Sequence, residues 1–449
     1  MNGNFLLDSL LDLKPANARL YLVGGAVRDI LLQKPGRDFD LVCDFDPRNI
    51  ARPFANLQKG AYYLLDSQRN TCRVILYEQN GRRVFYDFAR MQGDELEIDL
   101  SRRDFTINAM AIDLQSPKKI IDPLGGAADL KEKVLRACSD SSFADDPVRV
   151  IRAVRYAVAL NLAIDPRTLD ALKAAVPLLS RISRERTRDE LLKVLDSGRP
   201  DVGLRLLSRL DILNEAQMGT LESEISKAAA RCGALEALFA ELEGIGTRES
   251  AQVMPMAAYL LRLGRFKDPC LAYLHSANDS ARTRRVLDLL AAWISDYPQA
   301  KFAQVLEVLS LSNDENEHLH RMRDFRILLE ELDGVPDRRQ IYRFFKRTTI
   351  DSCFIWLADL LSAPPTVNSS QAWLKALEKC EVLMDAWVNQ PEVLSPIPLL
   401  NGTEIMQMFN LPPGRQLGKI LDDLLEEQAA GTVNTRTKAV QWLQSQIIH

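Results

Sequence analysis

The sequence contains few histidines and cysteines and has no long apolar run. It has 4 histidines and 7 cysteines, with no C-x-x-C pair, which argues against a zinc site and fits a reducing cytoplasm. His318 and His320 lie in a charged stretch, so we expect them at a surface loop or helix end without a metal. No signal peptide is visible, and no apolar run approaches the roughly 20 residues of a membrane span. We therefore expect a cytoplasmic protein that has no membrane segment.

The sequence also has no excess of basic charge. Its 57 lysines and arginines are outnumbered by 61 aspartates and glutamates, so the net charge is −4. Such a chain cannot bind nucleic acid through its overall charge, and any RNA-binding surface must be a local patch. The composition is that of an ordinary globular protein, and the length suits roughly two to four domains.

Strand and helix patterns divide the chain near residue 135. Short runs of β-branched and aromatic residues before this point predict strands over residues 20–23, 39–43, 61–65, 71–77 and 82–88. Beyond it, apolar residues recur at helical spacing nearly to the end. We therefore expect an α/β head with a mixed sheet, followed by a long all-α remainder.

The first stretch with a chemical signature lies near the amino end. The strand expected over residues 20–23 ends in Gly24 and Gly25, and the next strand opens with Asp38 and Asp40. Glycines between a strand and a helix let the backbone approach a phosphate closely. Carboxylates at alternate strand positions share one face and supply the oxygen ligands that Mg²⁺ prefers. Either signal alone usually marks a turn or a strand end, but the combination indicates nucleotide chemistry.

A pair of arginines forms the second motif. Arg102 and Arg103 precede an apolar run that contains Asn108. A helix start with a solvated first turn is one interpretation, but the helix dipole disfavours cations there. A clamp on phosphate oxygens explains the two arginines better, because a guanidinium fork matches phosphate geometry.

A carboxylate followed by three arginines forms the third motif. Asp146 precedes Pro147, which suits a first helical position and would make Asp146 the N-cap. The arginines follow at spacings of three, as Arg149, Arg152 and Arg155. The motif is either a capped helix with a solvated basic edge or a base reader, in which the carboxylate accepts from an amino group and a guanidinium donates to the base. The residues alone leave both interpretations open.

Three further stretches are less specific. Ser183 could cap a helix in which Arg186 and Glu190 form a bracing pair. Cations interleaved with aromatic residues indicate either an RNA grip or a helix with buried phenylalanines and a solvated basic face; these cations are Arg338, Arg339, Arg343, Lys346 and Arg347. Two more cations, at a helix start that could hold a phosphate, are Arg415 and Lys419.

In this order and spacing, the motifs resemble the class II tRNA nucleotidyltransferase and bacterial poly(A) polymerase family of the DNA polymerase β superfamily. Asp145 replaces the usual Glu of the family's E-D-x-x-R motif. The resemblance is strong over residues 20–195 and weaker in the tail. The matching segments are 23–29 with 38–40, 102–109, 121–126, 145–149, 185–191 and, more weakly, 401–419.

The resemblance implies four parts and a set of site residues. The parts are a catalytic head (1–137), a helical neck that selects the nucleotide (138–200), a helical body (201–330) and a helical, tRNA-binding tail (331–449). Asp38 and Asp40 would bind Mg²⁺, and Asp87 would be a third carboxylate, suited to accept the primer hydroxyl proton. The triphosphate would be held by Gly24, Gly25, Arg28 and Arg103. Asp146 and Arg149 would read the base, supported by Arg152 and Arg155. The arginine that often closes the Asp87 motif is displaced to Arg90, whose role stays open.

The implied activity is template-independent addition of CMP and AMP to the 3′ end of tRNA, with release of pyrophosphate. The implied partners are tRNA, CTP and ATP, and no protein partner is implied. The head motifs are shared with poly(A) polymerases and with enzymes that add only CC or only A, so these alternatives stay open. A non-catalytic RNA-binding adaptor is a further alternative, although the intact Asp38 and Asp40 pair argues against it.

Overall fold

The computed structural model describes residues 6–447 except 35, 67–69, 79–81, 94, 220–221, 246–252, 277–281, 333 and 364–366. Its strands are β1 (Leu20–Val23), β2 (Asp38–Cys43), β3 (Ala61–Asp66), β4 (Thr71–Tyr77), β5 (Arg83–Arg90), β6 (Ala111–Asp113), β7 (Ile120–Ile121), β8 (Val134–Leu135) and β9 (Ala163–Ile164). The five predicted strands are therefore present, with ends that differ by no more than two residues.

The helices of the described residues lie mostly beyond the large sheet. The first nine are α1 (Leu7–Leu13), α2 (Gly25–Leu31), α3 (Arg48–Leu57), α4 (Leu96–Ser101), α5 (Gly126–Glu132), α6 (Ser142–Asp145), α7 (Arg149–Ala159), α8 (Pro166–Ala175) and α9 (Arg184–Leu195). The next eight are α10 (Pro200–Arg209), α11 (Ile212–Glu215), α12 (Glu222–Glu243), α13 (Val253–Leu263), α14 (Lys267–Leu274), α15 (Arg284–Ile294), α16 (Gln299–Leu309) and α17 (Asn313–Met322). The last eight are α18 (Phe325–Glu330), α19 (Arg338–Arg347), α20 (Asp351–Ser362), α21 (Val367–Asn389), α22 (Pro391–Leu394), α23 (Gly402–Phe409), α24 (Arg415–Ala429) and α25 (Arg436–Ile447).

The seven strands of the large sheet run in the order β3-β4-β5-β2-β1-β6-β7. Within this sheet, as far as its residues are described, only the β2–β5 pair is parallel, so the sheet is mixed, as expected. The strands β6 and β7 were not predicted, and neither was the two-residue pair of β8 with β9 beyond residue 128. Strands of two or three residues are too short to produce a periodic hydrophobic pattern, which explains why they were missed.

The two faces of the large sheet are buried to different extents. One face packs against α1, α2 and α3 through fully buried side chains such as Phe54, Tyr86 and Phe88. The other face is covered over β1 and β2 by Leu96 and Leu100 of α4 and its neighbours. Because side chains alternate along a strand, the polar residues of β2 and β5 project on this second face.

The chain divides into two compact units, residues 1–190 with 210–216 and residues 191–209 with 217–449. The first contains both sheets, and the described residues of the second are helical or irregular. The predicted α/β head followed by an all-α remainder is therefore confirmed, while the division at 137, 200 and 330 stays a prediction. None of the described helices is long and apolar enough to cross a membrane.

A completely buried arginine joins three helices of the second unit. Arg231 of α12 is 0% exposed and donates to Asp359 of α20 at 2.8 Å and to Asp296, which follows α15, at 2.5 Å. Its Nη1 donates to the carbonyl of Ala292 at 2.9 Å and to Oγ of Ser295 at 2.5 Å. Burial alone would raise the pKa of Asp296, but Arg326 and Arg231 hold it well below its usual value. This buried charge is therefore stabilised only by its complete set of partners.

We expect Arg231→Met to lower the free energy of unfolding by about 1–3 kcal/mol, because it removes a buried hydrogen-bonded cation, while Arg326 still pairs with Asp296 and Asp359. Urea denaturation followed by circular dichroism measures the change. The control is Arg205→Met, which removes a half-buried arginine with a hydrogen bond to Ser226 and should cost less than about 1 kcal/mol. Equal losses in the two variants would show that the buried ion pairs of Arg231 add no stability of their own.

Candidate active site

The end of β1 brings a glycine, an arginine and a carboxylate together. Gly24 has a φ of 73°, in the left-handed region that glycine adopts readily. A Cβ atom at this position would lie 3.0 Å from Nη1 of Arg103 and 3.1 Å from Oδ2 of Asp40. Position 24 therefore requires glycine both for the turn and for this close approach, and Gly25 begins α2 directly after it.

Three carboxylates project on one face of the sheet. Asp38 and Asp40 alternate with the buried Phe39 in β2. Asp40 is the direct neighbour of Asp87 in the parallel β2–β5 pair. The structure thus places Asp87 beside the other two carboxylates, where the resemblance expects a third one. The sequence did not reveal the partner of Asp87, which is Arg73 of β4, with Nε to Oδ1 at 2.7 Å and Nη2 to Oδ2 at 2.6 Å.

These charges influence one another. Part of Asp40 is accessible to solvent, but withdrawal of its carboxyl from water raises its pKa above the usual value. Arg103 lowers this pKa, and Asp87 and Asp38 raise it again. Hence the carboxylates repel one another, and arginines on either side offset that repulsion.

The two arginines expected at the triphosphate have different surroundings. Arg103 donates from Nη2 to Asp99 at 3.3 Å, and its buried Nε has no hydrogen-bond partner among the described residues. Arg28 donates from Nη1 to Asn108 at 2.7 Å and from Nε to Asp29 at 2.9 Å. Arg103 therefore retains a donor for a ligand, while two donors of Arg28 serve the protein.

Asp146 is not the helix cap that the sequence predicted. The helix α7 begins at Arg149 and has Val148 at its N-cap position. Asp146 instead accepts from Nη2 of Arg186 at 2.7 Å, and its buried Oδ1 has no partner among the described residues. This oxygen is an unused acceptor.

Arg149 is held by its own chain. Its Nη2 donates to the carbonyl of Arg102 at 2.8 Å, and its Nη1 donates to Oγ of Ser142 at 2.8 Å. The guanidinium is therefore fixed in orientation, and several of its donors are in use.

The remaining arginines of α7 are braced by buried carboxylates. Arg152 donates twice to Asp104, at 2.9 and 2.6 Å, and Arg155 forms an ion pair with Glu190 at 2.8 Å. Burial alone would raise the pKa of Asp104, but Arg152 and hydrogen bonds hold it below its usual value. Both arginines are therefore rigidly placed.

The helix α9 supports this arrangement. The predicted Ser183 cap is present, as the Arg186 N–H donates to its Oγ at 3.5 Å. The predicted ion pair between Arg186 and Glu190 is wrong, because Arg186 pairs with Asp146 and Glu190 pairs with Arg155. Both contacts are with more distant parts of the chain, so α9 acts as the expected brace.

These groups enclose a cleft of about 390 Å³ within the first unit. Seven of the predicted site residues line it, namely Gly24, Gly25, Asp40, Arg103, Asp146, Arg149 and Arg152. Arg28 and Arg155 lie behind Tyr156, a lining residue, with their guanidinium carbons 5.3 and 4.3 Å from its ring centroid. Tyr156 and Arg186 also line the cleft but were not predicted there, since Arg186 was expected to brace the helix α9 and no role was assigned to Tyr156.

Five of the seven cations predicted to bind RNA in the tail form ion pairs within the second unit. Four cations of α19 have partners on α24 or α22, namely Arg338–Glu392 at 3.1 Å, Arg339–Glu427 at 2.8 Å, Arg343–Glu426 at 2.6 Å and Lys346–Asp422 at 2.9 Å. Arg347 pairs with Glu331 at 3.0 Å. Arg415 and Lys419 are exposed in the first turns of α24. RNA binding by these seven residues stays a prediction.

One further cluster among the described residues could bind a divalent ion. Ligand atoms of Asp288, His318 and Asp351 lie within 4.8 Å of one another, and all three side chains are buried. The expectation that His318 lies at the surface is thus wrong, since it packs inward from α17. Arg284 lies 2.8 Å from Nδ1 of His318, and Asp288 lies 3.0 Å from Nε2. Since arginine only donates, Nε2 of the neutral ring carries the proton and would have to lose it to a metal.

Two regions of the chain match known protein families. Residues 20–136 match the Poly A polymerase head domain. Residues 161–217 match a family described as the probable RNA and SrmB-binding site of polymerase A. The first match spans the large sheet with its carboxylates.

Similarity to individual proteins extends over nearly the whole chain. A CC-adding tRNA nucleotidyltransferase of Geobacter sulfurreducens is 30% identical over 425 residues, covering 94% of this chain and 91% of that protein. An A-adding tRNA nucleotidyltransferase of Deinococcus radiodurans is 31% identical over 437 residues, covering 94% of each. The solved structure of the Thermotoga maritima CCA-adding enzyme complexed with tRNA superimposes with a TM-score of 0.57 at 23% identity, covering 98% of this chain and 94% of that one. The last comparison establishes a common fold.

We expect Gly24→Ala to abolish binding of a nucleoside triphosphate, because a Cβ atom would displace Arg103 or Asp40. The matched control is Gly125→Ala, since Gly125 also has a positive φ but has nothing within 4 Å of the added Cβ. Both variants should lose about 1–2 kcal/mol of stability to backbone strain. Calorimetric titration with CTP and ATP measures binding, and retained binding in Gly24→Ala would refute the need for a close approach at this position.

Proposed function

The chain belongs to the tRNA nucleotidyltransferase and poly(A) polymerase family, and from this premise we propose that it adds CMP and AMP to the 3′ end of tRNA. The donors are CTP and ATP, and the product is pyrophosphate. The main support for this proposal is the group of three carboxylates, Asp38, Asp40 and Asp87, beside Gly24 and Arg103. This group lies at the edge of an arginine-lined cleft. Enzymes that transfer nucleotides need such a combination of acidic and phosphate-binding groups.

Nucleotidyltransferases of this family use divalent metal ions, and Mg²⁺ suits the carboxylates of this head. Asp38 and Asp40 present hard oxygen donors on one strand face, and their mutual repulsion favours a cation between them. These two residues would hold the ion, which supplies charge neutralisation for the phosphoryl transfer. The buried Asp288–His318–Asp351 cluster fits less well, because the Arg284 hydrogen bond fixes the ring proton on the nitrogen that a ligand would need.

The residues of the chain orient the reactants. Gly24 permits a close approach of the triphosphate to the backbone, and the free Nε of Arg103 donates to its oxygens. Asp87 accepts the proton of the primer 3′-hydroxyl, while two hydrogen bonds from Arg73 hold its carboxylate in position. The hydroxyl then attacks the α-phosphate, and pyrophosphate leaves on the opposite side. Catalysis is thus mainly positioning and electrostatic preorganisation.

Base selection rests on Asp146 and Arg149. The unused Oδ1 of Asp146 accepts from the exocyclic amino group that cytosine and adenine share. Arg186 fixes the orientation of this carboxylate, and the carbonyl of Arg102 fixes Arg149. A rigid donor and acceptor pair in the cleft can thus replace a nucleic-acid template.

The two relatives have different base specificities at nearly equal similarity, so enzymes that add only CC or only A are the main alternatives. The experiment incubates purified protein with CTP alone or ATP alone and with three tRNAs, which lack CCA, end in C or end in CC. It distinguishes the proposed enzyme from these alternatives. Addition of CMP to the first two tRNAs and of AMP to the third supports the proposal. Long tails from ATP alone identify a poly(A) polymerase, and binding without incorporation identifies an adaptor.

We expect Asp40→Ala to reduce CMP and AMP incorporation by on the order of 10³-fold or more, since even one preorganised donor is worth about 10²–10³-fold. Affinity for tRNA should change little. The control is Asp44→Ala, which removes a carboxylate that pairs with Arg19 just beyond β2. Gel-based incorporation and filter binding measure both quantities, and comparable activity in the two variants would end the catalytic assignment.

We expect Asp146→Ala to weaken discrimination for CTP and ATP over UTP by about 1–3 kcal/mol, because it removes the acceptor for the amino group. Affinity for tRNA should be unaffected. Asp145→Ala is the control, since Asp145 is exposed and accepts from Ser141. The discrimination is measured as the ratios of kcat/KM for CTP, ATP and UTP. A uniform loss of rate with unchanged ratios would refute base reading.

A further inference from the structure

One half of the carboxylate-bearing sheet face has two exposed tyrosines, Tyr63 and Tyr77, and a half-buried phenylalanine, Phe85. Cross-strand pairing aligns Tyr63 of β3 with Arg73 of β4, Arg73 with Asp87 of β5, and Asp87 with Asp40 of β2. These side chains therefore form one row across four adjacent strands. The row leads from the outer edge of the sheet directly to the catalytic carboxylates.

Two neighbouring rows have the same character. Phe85 is the partner of Asp38 in one row, and Tyr77 is the partner of Arg83 in the next. We name the set Tyr63, Arg73, Tyr77, Arg83 and Phe85 the aromatic face. Its members alternate along their strands with residues that face the buried core.

The exposure of this face needs an explanation. Tyr63 is 51% exposed and Tyr77 is 62% exposed, whereas Tyr86 and Phe88, on the opposite face, are fully buried. Over β1 and β2, the same face of the sheet is covered by Leu100 of α4. Large apolar groups left exposed together on adjacent strands usually mark a binding surface.

The chemistry of the aromatic face suits single-stranded nucleic acid. Aromatic rings stack on bases of any identity, and arginines neutralise the phosphates between them. The guanidinium of Arg73 lies 5.3 Å from the ring centroid of Phe85, so cation and ring already form one platform. Its side chain remains 38% exposed although both oxygens of Asp87 bind it.

We propose that the aromatic face binds the single-stranded 3′ end of the RNA substrate and directs its terminal hydroxyl to Asp87 and Asp40. This inference rests on the proposed function and identifies the path of the primer. Tyr63 lies three strand spacings from Asp40, roughly 14 Å. That distance accommodates the few unpaired nucleotides that precede a reacting hydroxyl.

The geometry of the reaction favours single-stranded RNA over a protein as the ligand of the aromatic face. In-line displacement places the attacking hydroxyl and the leaving pyrophosphate on opposite sides of the α-phosphate. Gly24 and Arg103, the triphosphate residues, lie on the β1 side of Asp40. The primer must therefore arrive from the β5 side, where the aromatic face begins.

The test measures binding of a tRNA that ends in CC and carries 2-aminopurine two nucleotides before its 3′ end, because Tyr63 lies roughly 14 Å from Asp40. The variants are Tyr63→Ala, Tyr77→Ala and the double substitution. The control Leu57→Ala removes a 57% exposed residue of α3, on the opposite side of the sheet. We expect each tyrosine variant to weaken tRNA binding by about 5-fold or more and to increase 2-aminopurine fluorescence in the complex, since stacking is lost. Tyr63→Phe should retain wild-type values, and affinity for CTP should not change.

Three outcomes would overturn the proposal. The first is unchanged tRNA affinity in the double variant with an unaltered thermal melting curve. The second is an equal loss in Leu57→Ala. The third is a wild-type dimer in analytical ultracentrifugation that dissociates in Tyr77→Ala without a change in tRNA binding, because the face would then bind a second copy. The readout is binding, so wild-type protein that stacks the probe but incorporates neither CMP nor AMP refutes the proposed function and leaves this inference standing.

Discussion

Electrostatic repulsion among Asp38, Asp40 and Asp87 is the constraint on which the first unit depends. The parallel pairing of β2 with β5 places Asp40 and Asp87 side by side. Two like charges about 5 Å apart repel with about 3 kcal/mol at an effective dielectric constant of 20. That is a large share of the roughly 5–15 kcal/mol by which a domain is stable. Arg73 on one side and Arg103 on the other offset this repulsion, so the sheet can keep the carboxylates together before any substrate binds.

In the cleft, the like charges that lie close together are positive instead of negative. Its arginines would repel one another, and three of them pair with a carboxylate, namely Arg103 with Asp99, Arg152 with Asp104 and Arg186 with Asp146. Such pairs lock the side chains in place, which lowers the reorganisation needed when a charged ligand arrives. They also explain how a chain with a net charge of −4 can offer a locally basic cleft.

Features that depend on neighbouring residues in the sequence could be predicted, whereas features that depend on distant residues could not. The shared face of Asp38 and Asp40 follows from two alternate positions in one strand, and it was predicted correctly. The pairing of Arg73 with Asp87 depends on the register between β4 and β5, which a spacing pattern does not specify. The burial of His318 was missed because charged neighbours mask the helical periodicity of α17. Local patterns thus identified the acidic motif, while long-range pairing supplied its counterions.

The structure also connects the residues that we propose to read the base with those that we propose to bind phosphate. Arg149 donates to the main-chain carbonyls of Arg102 and Arg103, at 2.8 and 3.2 Å. The side chain of Arg103 in turn lies against Gly24, at the expected position of the triphosphate. A shift of Arg103 toward a bound phosphate would therefore change the hydrogen bonds that orient Arg149. Because hydrogen bonds weaken steeply as their geometry departs from linearity, the orientation of Arg149 would depend on the position of the Arg102–Arg103 backbone. A short segment of backbone thus links the residues that we propose to read the base with those that we propose to bind phosphate.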